Sequence, residues 1–163
     1  MSQEQAATEQ TGTGAAGTTS LEQLFQQGVQ LHQSGRINEA EAAYWKILSS
    51  QPDHAQALHH IGIIAYQRSN PEQAIQRYRQ ALDIAPNDAA ILSNLGAAYR
   101  SANRLPEAIS SYQRAIEIRP DYPEAYNNLG NAYSQQEKPD QAISCYKKAV
   151  ELKPDYVQAI NNL

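Results

Sequence analysis

Cysteine, methionine, phenylalanine and tryptophan each occur once in this sequence, and no apolar run approaches the ~18 residues that a membrane-spanning helix needs. The lone Cys145 has no partner for an intramolecular disulfide and no second Cys or paired His at metal-site spacing, so it reads as a small helix residue. Basic residues are also scarce: 13 Lys and Arg against 17 Asp and Glu give a formal net charge of -4. Neutralising a nucleic-acid backbone takes clustered cations, so nucleic acid is not expected as a partner. The opening "MSQEQAATEQTGTGAAGTTS" has neither a basic n-region nor an apolar core. It predicts no secretory signal or membrane anchor and a cytoplasmic location. Small, polar and rich in Gly and Thr, residues 1–19 bury too little apolar surface to offset ordering entropy, and a disordered leader is expected there. No P-loop, dinucleotide fingerprint, HExxH or nucleophile elbow occurs, and Glu39 and Glu41 fall on an exposed helix face with no apolar pocket around them. No catalytic residue and no cofactor are expected in this chain.

What the sequence does have is a period. Proline recurs at Pro52, Pro86, Pro120 and Pro154, and glycine at Gly28, Gly62, Gly96 and Gly130, 34 residues apart each time. Ala40, Ala74, Ala108 and Ala142 keep the same interval, as do Tyr44, Tyr78, Tyr112 and Tyr146. Four unrelated residue types on one period define a repeat protein.

Each type has a place in a two-helix unit. The recurring Pro ends the second helix. Asp53, Asn87, Asp121 and Asp155 follow it and are expected to cap the next helix by accepting from its open amides. Between stop and start the apolar residues fall at helical spacing, as in Leu92, Leu95, Tyr99 and then Ala108, Ile109, Tyr112, Ala115, Ile116. Each unit is therefore two helices of about fourteen residues, about 20 Å long. The mid-helix Gly costs up to about 1 kcal/mol against Ala, and close approach of the paired helices is the expected reason: Gly96 and Ala108 would bring backbones together while Tyr112 fills the neighbouring gap. Pro71, Pro106 and Pro139 fall at the first turn of second helices, with Asn70 a cap before Pro71. The turn inside each unit holds Gly35, Ser69, Asn103 and Glu137; Gly and Asn suit a left-handed C-terminal cap, the other two less so.

On these residues the chain resembles the tetratricopeptide repeat family. The signature of a large apolar residue, Leu-Gly, Tyr, Ala, an aromatic, Ala and Pro stands here as Leu92, Leu95-Gly96, Tyr99, Ala108, Tyr112, Ala115 and Pro120. Repeat one departs at Leu31 and Ile47 and repeat two at Ala65, as end repeats do. The resemblance implies an all-α fold, a right-handed superhelical solenoid of helix-turn-helix units. The repeats are placed at 21–54, 55–88, 89–122 and 123–156 within a 20–163 domain, with a partial fifth at 157–163.

The resemblance further implies that first helices line a concave face that binds a protein or an extended peptide. The fifth and sixth places of the units hold Phe25-Gln26, His59-His60, Ser93-Asn94, Asn127-Asn128 and Asn161-Asn162. A side-chain amide donates to a peptide C=O and accepts from its N–H, gripping backbone without reading sequence. Units advance by about 10 Å, a span of about three extended peptide residues. Asn94, Asn128 and Asn162 therefore form a candidate ladder, and His60, Asn127 and Asn131 join them as candidate peptide contacts. Repeats of O-linked N-acetylglucosamine transferases carry such a ladder, and "EAYNNLGNAY" looks like them. "GRINEAEAAYWKILSSQPDHAQALHHIG" resembles the opening repeats of large bacterial proteins that join such an array to a transferase domain. The places where chaperone-binding arrays hold a C-terminal carboxylate carry Phe25, Val29, His60, Ala90 and Asn94, with no cation, so a carboxylate clamp is rejected. Phe25, Val29 and Ile63 predict a greasier N-terminal half, or packing against the leader.

No metal site is expected from His54, His59 and His60: the adjacent pair diverges by about 100° and the other two are five apart. Trp45 is expected to pack against the leader or the next unit rather than serve as a ligand platform. Two readings of the ending at "KPDYVQAINNL" stand: a fragment of a longer protein, or an open end that self-associates through Val157, Ile160 and Leu163. The functional expectation is a protein–protein interaction module. Its alternatives are the substrate-recognition segment of a transferase whose catalytic domain is missing, and self-assembly.

Overall fold

The structure is a computed structural model in which residues 20–163 are described; the leader expected at residues 1–19 lies outside the described residues. Within them, nine helices and no strands occur: α1 (Leu21–Gln33), α2 (Ile37–Ser50), α3 (Ala55–Gln67), α4 (Pro71–Ile84), α5 (Ala89–Ser101), α6 (Leu105–Ile118), α7 (Pro123–Gln135), α8 (Pro139–Leu152) and the short α9 (Val157–Asn161). The helices pack as α1 on α2, α3 on α4, α5 on α6 and α7 on α8, and each second helix lies on the first helix of the next pair. First helices also touch one another, α3 on α5 and α5 on α7. The result is the expected all-α solenoid, an alpha-alpha superhelix.

The core runs along this stack rather than around a centre. Tyr44, Tyr78 and Tyr112 are its largest fully buried side chains, with Ile47, Ile61, Ile64 and Ile91, while Ala40, Ala74 and Ala108 are completely enclosed. The mid-helix glycines open space for these tyrosines. A Cβ on Gly62 would stand 2.5 Å from Tyr78 Cε1, and one on Gly96 2.7 Å from Tyr112 Cε1. The ring itself thus fills the space directly over the glycine, rather than only a gap beside it.

The turns inside the four pairs share one backbone form. Gly35, Ser69, Asn103 and Glu137 all have φ between 58° and 78°. The next amide closes onto the helix five residues back, as in Asn70 N to Ala65 O at 3.0 Å and Lys138 N to Tyr133 O at 3.0 Å, the bond of a Schellman cap. Ser69 and Glu137 adopt this left-handed form despite their side chains, because the bond and the packing of the pair over-determine it. Pro71 and Pro139 open α4 and α8, Pro106 lies in the first turn of α6, and the Asn70 side chain accepts from Gln73 N at 3.2 Å.

Capping between units differs from expectation. Pro52 and Asp53 lie in the turn, and the cap is one residue later: His54 Nδ1 accepts from Ala57 N at 3.1 Å. Asp88 Oδ1, not Asn87, accepts from Ala90 N at 2.9 Å and Ile91 N at 3.0 Å. In the later units this place is Tyr122 and Tyr156, which make no side-chain cap bond. The turn after the proline takes one residue more than a direct stop and start would.

Trp45 is 40% exposed, and its ring face is covered by the Arg77 guanidinium of the next pair at 4.9 Å. Glu39 and Glu41 are ion-paired, with Arg36 and Arg68.

Candidate functional site

One stripe of each first helix, the fifth, sixth, ninth and twelfth places, runs along the inner ridge formed where α1, α3, α5, α7 and α9 follow one another. Its side chains meet between units with a spacing of 35 residues, the sixth place of one unit reaching the fifth place of the unit before. At the start this contact is between rings: His60 meets Phe25 edge-on at 5.3 Å. In the next step Asn94 Nδ2 lies 2.8 Å from His59 Nε2, the amide donating to the ring nitrogen. In the last, Asn162 Nδ2 donates to Asn127 Oδ1 at 3.0 Å. The intervening pair is Ser93, which is buried, and Asn128, which is half-buried; no hydrogen bond joins them among the described residues. The same offset recurs about two turns further along, where His32 Nε2 lies 3.0 Å from Gln67 Oε1 and Ser101 Oγ donates to the Tyr66 hydroxyl at 3.1 Å.

The predicted contacts divide into three places. His60 sits at the N-terminal end in an aromatic cluster, stacked on Tyr44 at 5.1 Å and flanked by Phe25, His59 at 5.7 Å and His32 at 6.1 Å. Its Nδ1 is buried without a hydrogen-bond partner. Burial, and then the neighbouring His59 and His32, push the His60 pKa down to about 4. His59 is lowered too, mainly by burial, with Asp88 opposing. Phe25, which with Val29 and Ile63 was expected to make this half greasy, packs into the same cluster.

Asn94 stands in the middle, bonded to His59 and half-buried. At the C-terminal end Asn127, Asn131 and Asn162 are brought together. Asn131 Oδ1 accepts from the Tyr146 hydroxyl at 2.9 Å and from Asn162 Nδ2 at 3.2 Å. Asn127 is only 5% exposed, so its amide is oriented by Asn162 more than presented to solvent. The Tyr146 contact has a sequence cause. The hydroxyls of Tyr44 and Tyr112 are buried without partners, and the ninth places of their units are Val29 and Ala97; in the fourth unit that place is Asn131. Burial alone drives the Tyr44 phenol up to about 12.

The ladder is therefore part of an internal network. An amide has two N–H donors and an accepting oxygen. Asn94 retains one N–H and its oxygen, and Asn162 its oxygen, while Asn128 retains everything. What this ridge can do chemically is donate and accept neutral hydrogen bonds from amides held in place by their neighbours. Sequence reasoning missed His59 as the partner of Asn94 and Tyr146 as the partner of Asn131; the constant 35-residue offset between polar first-helix residues was the available signal. Among the described residues no group of three or more His, Cys, Asp or Glu is placed to hold a metal ion, and no helix is long and apolar enough to cross a membrane.

A stack of helix pairs with an inner ridge of this kind defines a repeat-built protein-interaction module. The family-model matches make the class definite: one described as TPR repeat matches residues 64–101 and 96–137, and one described as Tetratricopeptide repeat matches residues 123–156. The chain belongs to the tetratricopeptide repeat family. No curated protein sequence matches it. Among solved structures it is similar to MamA, at 27% identity and a TM-score of 0.76 over 83% of this chain and 79% of that one. It shares its fold with pilF of Pseudomonas aeruginosa, at 24% identity and a TM-score of 0.81 over 87% and 65% of the two chains. It also shares its fold with YrrB, described as a TPR protein with an unusual peptide-binding site, at 20% identity and a TM-score of 0.76 over 88% and 74%.

Proposed function

We propose that the inner ridge binds an extended peptide, or an extended segment of a partner protein, through His60, Asn94, Asn128, Asn131 and Asn162, with the buried Asn127 acting through its bond to Asn162. The observation that carries this is the network of amides along one stripe of successive first helices, held at a 35-residue offset and keeping unused donors and acceptors. Asn is a mediocre helix former, so its accumulation at one structural place has a cost in helix stability that binding would justify. Preorganisation by His59, Tyr146 and neighbouring amides lowers the ordering cost of binding. Peptide binding is the property for which YrrB is described, and the two chains share the fold. The aromatic cluster around His60 would contribute apolar contact at one end, and the amides backbone contact along the rest.

The test uses a displayed library of random dodecapeptides selected on the chain, with the enriched peptide titrated calorimetrically. Asn94→Ala with Asn128→Ala removes two amide contacts of about 1 kcal/mol each, so affinity is expected to fall at least about tenfold while helicity stays nearly unchanged and melting falls only by the loss of the Asn94–His59 bond. Unchanged affinity in the double variant contradicts the ladder.

A further inference from the structure

The inner ridge is almost free of charge. Helices α1, α3, α7 and α9 contain no Lys or Arg, and α5 contains one, Arg100. It lies on the binding stripe, six residues after Asn94 and three after Ala97, at the place that holds His32 in the first unit and Tyr66 in the second. Its side chain is half-buried, and its Nε is enclosed without a hydrogen-bond partner.

Several other cations of the chain have partners. Arg36, Arg68, Arg104, Lys148 and Lys153 pair with carboxylates, and Arg77 and Arg119 cover the rings of Trp45 and Tyr122. Arg100 makes no ion pair among the described residues, and on α6, packed against α5, Glu107 is paired with Arg104. The α5 helix has no Asp or Glu of its own; its N-cap Asp88 stands at the far end, about 18 Å away by helical rise. The α7 helix has only Glu124, in its first turn and 4.0 Å from Lys153. A cation in a last turn gains from the helix dipole. That gain needs only an exposed side chain. Arg77 and Arg119 also have an enclosed Nε, but their guanidinium groups lie over aromatic rings, whereas that of Arg100 has neither ring nor carboxylate, and desolvating a charge is costly unless something pairs it.

The surroundings are built to hydrogen-bond. The Tyr112 hydroxyl is buried with the Arg100 side chain as its polar neighbour, close enough to favour the phenolate but not in good hydrogen-bond geometry. The Arg100 charge acts on the phenols of Tyr112 and Tyr146, opposing the upward push of burial, which places the guanidinium towards the junction of the third and fourth pairs. Beside it in sequence, Ser101 is bonded to Tyr66.

We propose that Arg100 receives an Asp or Glu side chain of the bound peptide, making this tetratricopeptide array a reader of one acidic residue in an otherwise backbone-gripped ligand. A guanidinium presents two parallel N–H groups to a carboxylate, which adds direction to charge. This proposal rests on the peptide-binding reading of the ridge and gives it the side-chain specificity that the asparagines lack. Overall repulsion from a chain of net charge -4 leaves the attraction local, so one acidic position is selected rather than an acidic peptide in general.

The dodecapeptide library tests it when selected in parallel on the wild-type chain, Arg100→Gln and Arg100→Glu, each checked by thermal melting. The wild type is expected to enrich Asp or Glu at one fixed position, R100Q to lose that preference, and R100E to replace it with Lys or Arg. The best acidic peptide should bind R100Q about tenfold or more weakly, and Arg100→Lys should keep part of the difference, having charge without the fork. If R100E fails to fold, the R100Q pool decides alone. Enrichment of peptides with no acidic position, or an acidic position unchanged in R100Q, overturns the role of Arg100 and leaves the ridge as a binding site. No enrichment on the wild type overturns the peptide-binding reading and this one with it.

Discussion

Gly62 shows how one residue sets the geometry of a pair. A methyl group there would fall 2.5 Å from Tyr78 Cε1 and 2.7 Å from Cδ1, and Tyr78 is 1% exposed, so the ring has no room to withdraw. Gly62→Ala gains up to about 1 kcal/mol of helix propensity, yet overpacking of this kind costs about 1–3 kcal/mol. The expected result is a lower midpoint in urea unfolding; a higher one would show that the Tyr78 ring can move. The second residue-scale expectation concerns His60. Its native pKa, about 4, lies below its ordinary value of 6.5 because burial among rings disfavours the cation. The unfolded chain therefore binds a proton that the native chain refuses between those two values, and the contribution is full above pH 6.5 and lost as pH falls towards 4. The facing titratable groups are His32, His59 and Tyr44, none of which supplies a negative charge in that range. His60→Phe should flatten the decline of stability from pH 6.5 to 4 by about 1–3 kcal/mol. An identical pH profile in the variant would contradict the buried, neutral imidazole.

At the scale of elements, helix starts are where sequence and structure part. Asp88 accepts from two amides of α5, while Asn87 lies in the turn before it. Asp88→Ala should cost about 1 kcal/mol and Asn87→Ala close to nothing, both read from chemical denaturation; the reverse order would restore the cap expected from sequence. The reason for the shift is local. Helix stops were legible because proline acts through its own backbone, and the 34-residue period fixed which helices pair. A cap depends on where the chain leaves its turn, and one residue of turn geometry is invisible in a pattern that both Asn87 and Asp88 satisfy chemically. The left-handed turns behave similarly. Gly35 and Asn103 announce a positive φ, whereas Ser69 and Glu137 adopt it only because the repeated pair imposes it.

At the scale of the molecule, the ridge is a property of the stack and of no single unit. Asn94 and Asn162 were visible as members of a series, but their bonds to His59 and Asn127 arise between units, from the offset with which one first helix lies on the next. The cluster of Phe25, Tyr44 and His60 joins three helices and likewise has no local signature. The scarcity of charge on first helices could be read from sequence directly. Its significance appears only once those helices are seen to form one surface.

The most direct test of the binding ridge is to follow backbone amide resonances of the isotope-labelled chain while adding the tightest dodecapeptide from the library. The account predicts shifts clustered on α3, α5 and α7, around His60, Asn94, Asn128 and Arg100, with α4, α6 and α8 little changed on their outer faces. Shifts confined to the outer second helices, such as the surface around Trp45 and Ile84, would contradict it.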